Sequence, residues 1–330
     1  MTLTRRRIPA LLLALGTVLA TANPVTSNPA AAQAPASQAP APKEFRIGYQ
    51  KIGLIVVARQ QGVIEKRLAA QGTKVQWVEF QAGPPLLEAL NAGSIDFGYT
   101  GDAPPIFSQA AGGNLVYVAA SAPSGDGEAI LVKETSPIRS VADLKGRKVA
   151  VGRGTSAHNL LVAALEKAGL AFSDITPAYL TPADAGSAFA NDSVDAWSIW
   201  DPYFAVAQAR SQTRVLTTSG QTLDVSAYFL ANRTFAEKHP GVVAGTLAAI
   251  SEAAAWAEGH RDEVAQALAS VTGIPFAIQK AAADRTQFAV RPLSDAILAN
   301  QQATADRFHR LGLIPRAITI RDAVWTPPRS

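Results

Sequence analysis

Four short stretches end an alternating apolar run with groups that can donate hydrogen bonds: Tyr49-Gln50, Thr100-Gly101-Asp102, Gly154-Thr155-Ser156-Ala157-His158 and Trp200-Asp201-Pro202. In open α/β sheets, ligands lie outside the carboxyl ends of the strands. Gly101 lets backbone approach closely, and Pro104 and Pro105 suit a helix's first turn, where an N–H is not needed. Thr155 or Ser156 starts a second helix and supplies a hydroxyl. Free N–H groups and the positive ends of two helix dipoles, facing across a cleft, would hold the three oxygens of a tetrahedral anion.

Each member has a plainer reading beside this one. Asp102 and Asp201 are well placed as helix caps, and Gly152–Gly154 reads as a tight turn. His158 is either a surface residue or a cleft-facing group that donates one N–H when neutral and adds charge when protonated. Trp197 and Trp200, three apart on a strand, point to opposite faces; Trp200 is expected to be the free one and Trp197 core. The glycines around Arg153 do not form the G-x-x-x-x-G-K-[ST] phosphate loop. No G-x-S-x-G motif is present, and His239, His260 and His309 lack the spacing of metal ligands. No catalytic residue, metal or cofactor is implied.

The elements that would position these ends alternate. Strands at 45–50, 75–80 and 95–100 are separated by helices over 53–71 and 84–93, and a helix over 104–111 leads to strands at 115–120 and 128–133. The pattern restarts with a strand at 147–151, a helix over 156–168, a strand at 175–180 and a helix over 182–191. A strand at 194–200, a helix over 202–209 and a strand at 214–218 follow. After a strand at 226–233, residues 234–311 are nearly all helical in pattern. This order predicts an α/β protein of two lobes, with mixed, mainly parallel sheets, flanking helices and a ligand cleft between the lobes. The crossings are expected near residues 134 and 227, giving one lobe from 44–134 and 228–330 and another from 135–227.

The chain's ends and composition narrow its classes. Arg5, Arg6 and Arg7, the apolar run Ile8 to Leu19 and Ala20-Thr21-Ala22 read as a cleavable signal peptide over residues 1–22. Residues 23–43, rich in Ala, Pro and Ser, read as a disordered tether. The net charge is +4, of which the three leader arginines leave about +1 in the remainder. With no long basic run, nucleic acid is not a partner. The absence of cysteine excludes thiol catalysis and thiolate metal sites, and fits an exported bacterial protein without disulfides.

Several segments resemble one family. "WVEFQAGPPLLEALNAGSIDFGYTGDAPPIFSQAAG" (77–112), "ADLKGRKVAV" (142–151), "HNLLVAALEKAGL" (158–170) and "VDAWSIWDPY" (194–203) are similar to the periplasmic aliphatic-sulfonate-binding proteins, receptors of ABC importers. The resemblance spans about residues 45–325. It implies a class II periplasmic binding protein fold that closes on an alkanesulfonate, and delivery to an ABC importer permease at the inner membrane by a monomer without enzyme activity. It places Gln50, Gly101, Asp102, Ser156, His158, Trp200 and Asp201 at pocket positions, with Glu128 beside them or as a plain strand-edge carboxylate. Two neighbouring readings are a taurine- or nitrate-type receptor, and an enzyme like the thiamine-pyrimidine synthases that share this fold.

Overall fold

A computed structural model describes residues 40–123 and 125–327 of the chain. The expected signal peptide, and the tether up to residue 39, lie outside the described residues. Among the described residues no helix is long and apolar enough to cross a membrane.

The chain opens with β1 (Glu44–Tyr49), whose inward side chains Phe45 and Ile47 are fully buried. Two helices follow, α1 (Gly53–Gln61) and α2 (Val63–Ala69), where one was expected over 53–71. Gly62 divides them: its left-handed φ of 62° ends α1, a conformation only glycine adopts without strain. Then come β2 (Lys74–Glu79), α3 (Gly83–Asn91), β3 (Phe97–Thr100), α4 (Ala103–Ala110) and β4 (Leu115–Pro123). The middle of the chain holds β5 (Glu128–Lys133), β6 (Lys148–Val151), α5 (Ser156–Lys167), β7 (Thr176–Tyr179) and α6 (Pro182–Ala190). It continues with β8 (Ala196–Trp200), α7 (Tyr203–Arg210), β9 (Thr213–Thr218) and the short α8 (Ser219–Thr222). The return begins with β10 (Ser226–Asn232), followed by α9 (Arg233–Lys238), α10 (Pro240–Gly259), α11 (Arg261–Thr272) and α12 (Phe276–Arg285). A two-residue strand, β11 (Val290–Arg291), interrupts the helical tail before α13 (Asp295–Arg310).

These strands form two mixed sheets. The first has the order β11-β4-β10-β3-β1-β2 and the second β7-β6-β8-β5-β9. The βα crossovers make β1 parallel to β2 and β3, and β6 parallel to β7 and β8. β10 runs antiparallel to both its neighbours, and so does β5. Every residue of β10 is buried, as a strand covered on both faces must be.

The sheets correct one expected boundary. β5 pairs with β8 and β9, so the chain leaves the first sheet between Pro123 and Glu128 rather than near 134. Its apolar run of Ala129, Ile130, Leu131 and Val132 fits the centre of either sheet, and only the pairing decides which. The return to the first sheet falls between β9 and β10.

Each sheet carries its own apolar packing. On one side of the first sheet, Ile55, Val57, Ile64 and Leu68 pack with Phe97, Phe229 and helices α10 and α11. On the other, Leu86, Ile106 and Tyr117 pack against Phe308 of α13. The second sheet closes around Ile130, Leu131, Leu160, Phe189, Trp197 and Phe204.

Candidate functional site

The ends of both sheets' strands meet at a cleft of about 150 Å³, lined by residues from each: Gln50, Tyr99, Gly101 and Ser121 from the first, Glu128, Ser156, Trp200 and Asp201 from the second. Part of the wall comes from α12 and the segment after it, including Gln279, Thr286 and Gln287. An adjoining chamber of about 540 Å³ shares Gln50, Ile52, Trp200 and Pro202 with the cleft. Phe80, Phe189, Trp197 and Tyr203 contribute aromatic rings to its wall, beside the charged Lys51, Glu79 and Arg210.

The start of α4 lies against the start of α5. A Cβ placed on Gly101 would fall 2.7 Å from Ser156 Cβ and 2.9 Å from its Oγ, so only glycine permits this approach. Thr155 precedes α5 in an extended conformation, but its hydroxyl donates to Gly152 O at 2.7 Å instead of capping the helix. That leaves the Ser156 hydroxyl and the first turn's N–H groups at the cleft. Gln50 Nε2 donates to Tyr99 O at 3.3 Å, which pins its amide on the opposite wall.

The carboxylates of the site differ. Asp201 accepts both Nε and Nη2 of Arg285, each at 2.8 Å, and the Ala205 N–H in the first turn of α7 at 3.1 Å. Burial still holds its carboxyl above the usual carboxylate range, against the pull of Arg285. Burial pushes Glu128 up to about 8, the charges of Asp102 and Asp201 push the same way, and a hydrogen bond with Ser156 opposes them. Among the described residues no group of His, Asp and Glu side chains could hold a metal ion.

Residues 52–264 match the model of the NMT1/THI5-like family. The chain belongs to that family. An aliphatic sulfonates-binding protein of Bacillus subtilis (strain 168) is 36% identical over 284 residues, 86% of each chain. The periplasmic aliphatic sulphonate binding protein SsuA from Escherichia coli superposes with a TM-score of 0.81 at 46% identity, over 88% of this chain and 94% of that one. The alkanesulfonate-binding protein SsuA from Xanthomonas axonopodis pv. citri, in a structure bound to MOPS, gives 0.82 at 42% identity, over 86% and 98%. All three carry the name of sulfonate-binding proteins.

In this NMT1/THI5-like chain, Gln50, Gly101, Glu128, Ser156, Trp200 and Asp201 line one cleft. Asp102 and His158 do not. Asp102 is 1% exposed, sits at the cap position of α4 in a helical conformation, and turns its carboxylate to the Asn159 amide of α5. Burial pushes it up to about 6, against hydrogen bonds from Asn159 and the Ala103 N–H. His158 was expected to face the cleft; it is fully buried among Phe172, Tyr179 and Phe308. Its Nδ1 accepts the Gly154 N–H at 3.3 Å and its Nε2 has no partner. Burial and the charge of Arg153 lower its pKa to about 4, so it is neutral at physiological pH.

Neither tryptophan of the pair is free. Trp197 and Trp200 both belong to the second core, and both line the aromatic chamber; Trp200 alone also reaches the cleft. The sequence reading missed Arg285 altogether. It ends a tail helix whose pattern is that of a solvated surface, and only the fold brings it to Asp201.

Proposed function

We propose that this protein is a periplasmic receptor that captures aliphatic sulfonates by closure of its two lobes, one on each sheet, and hands them to the permease of an ABC importer for sulfur acquisition. The observation that carries the proposal is the contact of Gly101 with Ser156, two helix starts from opposite sheets that form one cradle of neutral donors. A sulfonate is a permanent anion, so it needs no titrating partner. Neutral donors also avoid burying an unpaired cation when the site is empty. The aromatic chamber beyond Trp200 offers the apolar surface that an alkyl or ring substituent requires. The similarity to SsuA, including the protein bound to MOPS, supports the same ligand class.

Capture without chemistry fits the residues at hand. The chain has no cysteine, and His158, the one histidine near the two helix starts, is packed among aromatic rings. Export to the periplasm and action as a monomer belong to this reading. Competition calorimetry with ethanesulfonate, longer alkanesulfonates, taurine, sulfate and nitrate tests it. Tight binding of the alkanesulfonates, with sulfate and nitrate failing to compete, is expected. Preference for nitrate or sulfate would overturn it, and preference for taurine would move the protein to the aminosulfonate class.

A further inference from the structure

The cleft gathers carboxyl groups where an anion is to bind. Glu128 opens β5, is 8% exposed and turns that remaining surface to the cleft. Across its own sheet it pairs in register with Trp200, and the next residue of that strand end is Asp201. Asp102 at the start of α4 acts on it from the first sheet, Tyr99 on β3 lies near enough to feel it, and Ser156 from α5 lines the cleft beside it. Among the described residues no lysine or arginine lines the cleft itself, and the cations around it, apart from the exposed Arg210 of the adjoining chamber, are committed elsewhere. Arg285 is held by Asp201, Arg307 by Glu166 and Asn159, and Lys51 in the adjoining chamber by Glu79. Arg153 lies over the Tyr179 ring. Among the described residues Glu128 has no salt-bridge partner.

An ionised Glu128 would face a sulfonate as one like charge against another, with no cation between them. We propose that Glu128 stands in the cleft as the neutral carboxylic acid and donates its O–H to a ligand sulfonate oxygen. The inference rests on the sulfonate reading of the cleft and adds the residue that ties capture to a proton. Burial, with the charges of Asp102 and Asp201 behind it, raises the acid enough to hold its proton up to about pH 8. Ser156 lines the same cleft beside it. Ser156 belongs to the head-group cradle, whereas the chamber for the substituent lies past Trp200. The acid therefore meets sulfonate oxygens and not a distant ammonium of the ligand.

The sign of the pH dependence follows. Below pH 8 the free protein already carries the proton, and affinity is flat. Above it, binding must first take one proton from solvent, so affinity falls by up to a factor of ten per pH unit. The ligand's charge does not change across this range.

Calorimetry of the protein with ethanesulfonate from pH 6.5 to 9.5, in two sulfonate-free buffers of different ionisation heat, tests this. The expected results are a constant Kd to about pH 7.5, a weakening of roughly tenfold or more by pH 9.5, and uptake approaching one proton per ligand there. Glu128→Gln keeps a donor but cannot titrate, and its Kd is expected not to vary with pH. A wild-type Kd that stays constant to pH 9.5 without proton uptake overturns the inference, as does a Glu128→Gln variant that keeps the wild-type pH profile. Taurine binding that Glu128→Gln weakens selectively at pH 7 also overturns it, by showing an ionised carboxylate paired with an ammonium. If no alkanesulfonate binds at any pH, the sulfonate reading itself has failed. Should the variant not fold, the wild-type profile and proton count still decide.

Discussion

Asp201 and Arg285 join the two sheets' sides of the cleft by two parallel hydrogen bonds, Nε to Oδ2 and Nη2 to Oδ1, each 2.8 Å. Asp201 follows β8 of the second sheet, and Arg285 ends α12, which packs on α11 and reaches across to α7. The guanidinium also lies over the Phe204 ring, 4.3 Å from its centroid. The pair thus exists only while the two sides are together. Removing Arg285 leaves a nearly buried carboxylate alone. Arg285→Ala is expected to weaken ethanesulfonate binding by about tenfold or more, on the order of the 1.5–3 kcal/mol of a charged hydrogen-bonded partner. Arg285→Lys recovers only part of this, because an ammonium cannot span both oxygens. Calorimetry checks both; unchanged affinity in Arg285→Ala would show that the pair contributes nothing to closure.

Gly101 is another point of contact between the sides. Gly101→Val puts a branched side chain where even a Cβ lies 2.7 Å from Ser156. α4 and α5 must then separate and the cradle opens. More than a tenfold loss of affinity is expected, about 1.4 kcal/mol or greater, with the melting temperature little changed because the strain is relieved by the open form. A variant that binds normally places the anion elsewhere.

Trp200 belongs both to the second core and to the wall shared by cleft and chamber. Trp200→Ala should therefore show two effects on one protein. Its melting temperature drops, in line with the roughly 3–5 kcal/mol typical of buried Trp→Ala. The gain in affinity with ligand chain length, at best about 0.8 kcal/mol per methylene, becomes shallower. Melting curves and the affinities of ethanesulfonate and octanesulfonate separate the two effects. A chain-length gain as steep as in the wild type would mean that the ring only packs.

His158 gives a stability prediction with a definite sign. Its pKa is lowered to about 4 from an ordinary 6.5. Between those values the unfolded chain binds more protons than the folded one, so this group's contribution is full above pH 6.5 and is lost as the pH falls toward 4. His158→Phe retains the ring stacking but removes the titration. The difference in unfolding free energy between wild type and variant should then shift in the variant's favour from pH 7 to pH 4.5, as followed by urea unfolding. At pH 7 the variant is expected to be about 1 kcal/mol less stable, because the buried Gly154 N–H loses its acceptor. Ligand affinity should not change, since the side chain does not line the cleft.

What the sequence made legible was local. Alternating apolar runs located the strands, and Gly101, Ser156 and Trp200 stood at their ends because an open sheet puts ligands there. The division of the helix at Gly62 and the membership of β5 were not legible, since one depends on a single left-handed residue and the other on which partner strands are present. Asp102 and His158 were misplaced for a common reason. Asp102 follows its strand end by two residues and His158 by seven, and the starts of α4 and α5 turn them away from the cleft, toward Asn159 and toward Phe308. Arg285 could not be found from the pattern at all, because its partner is 84 residues away.

The position of β10 bears on how the molecule comes to exist. In the first sheet β10 lies between β3 and β4, so these two early strands never pair with each other. A chain emerging N-terminus first cannot knit that sheet until residue 232 has arrived, whereas every strand of the second sheet lies between Glu128 and Thr218. The inserted part has its partners first, and the part encoded on either side of it must wait with β3 and β4 unjoined. Premature termination before β10 would thus spare the second sheet and leave the first a set of open edges, the form of exposed backbone most prone to aggregate.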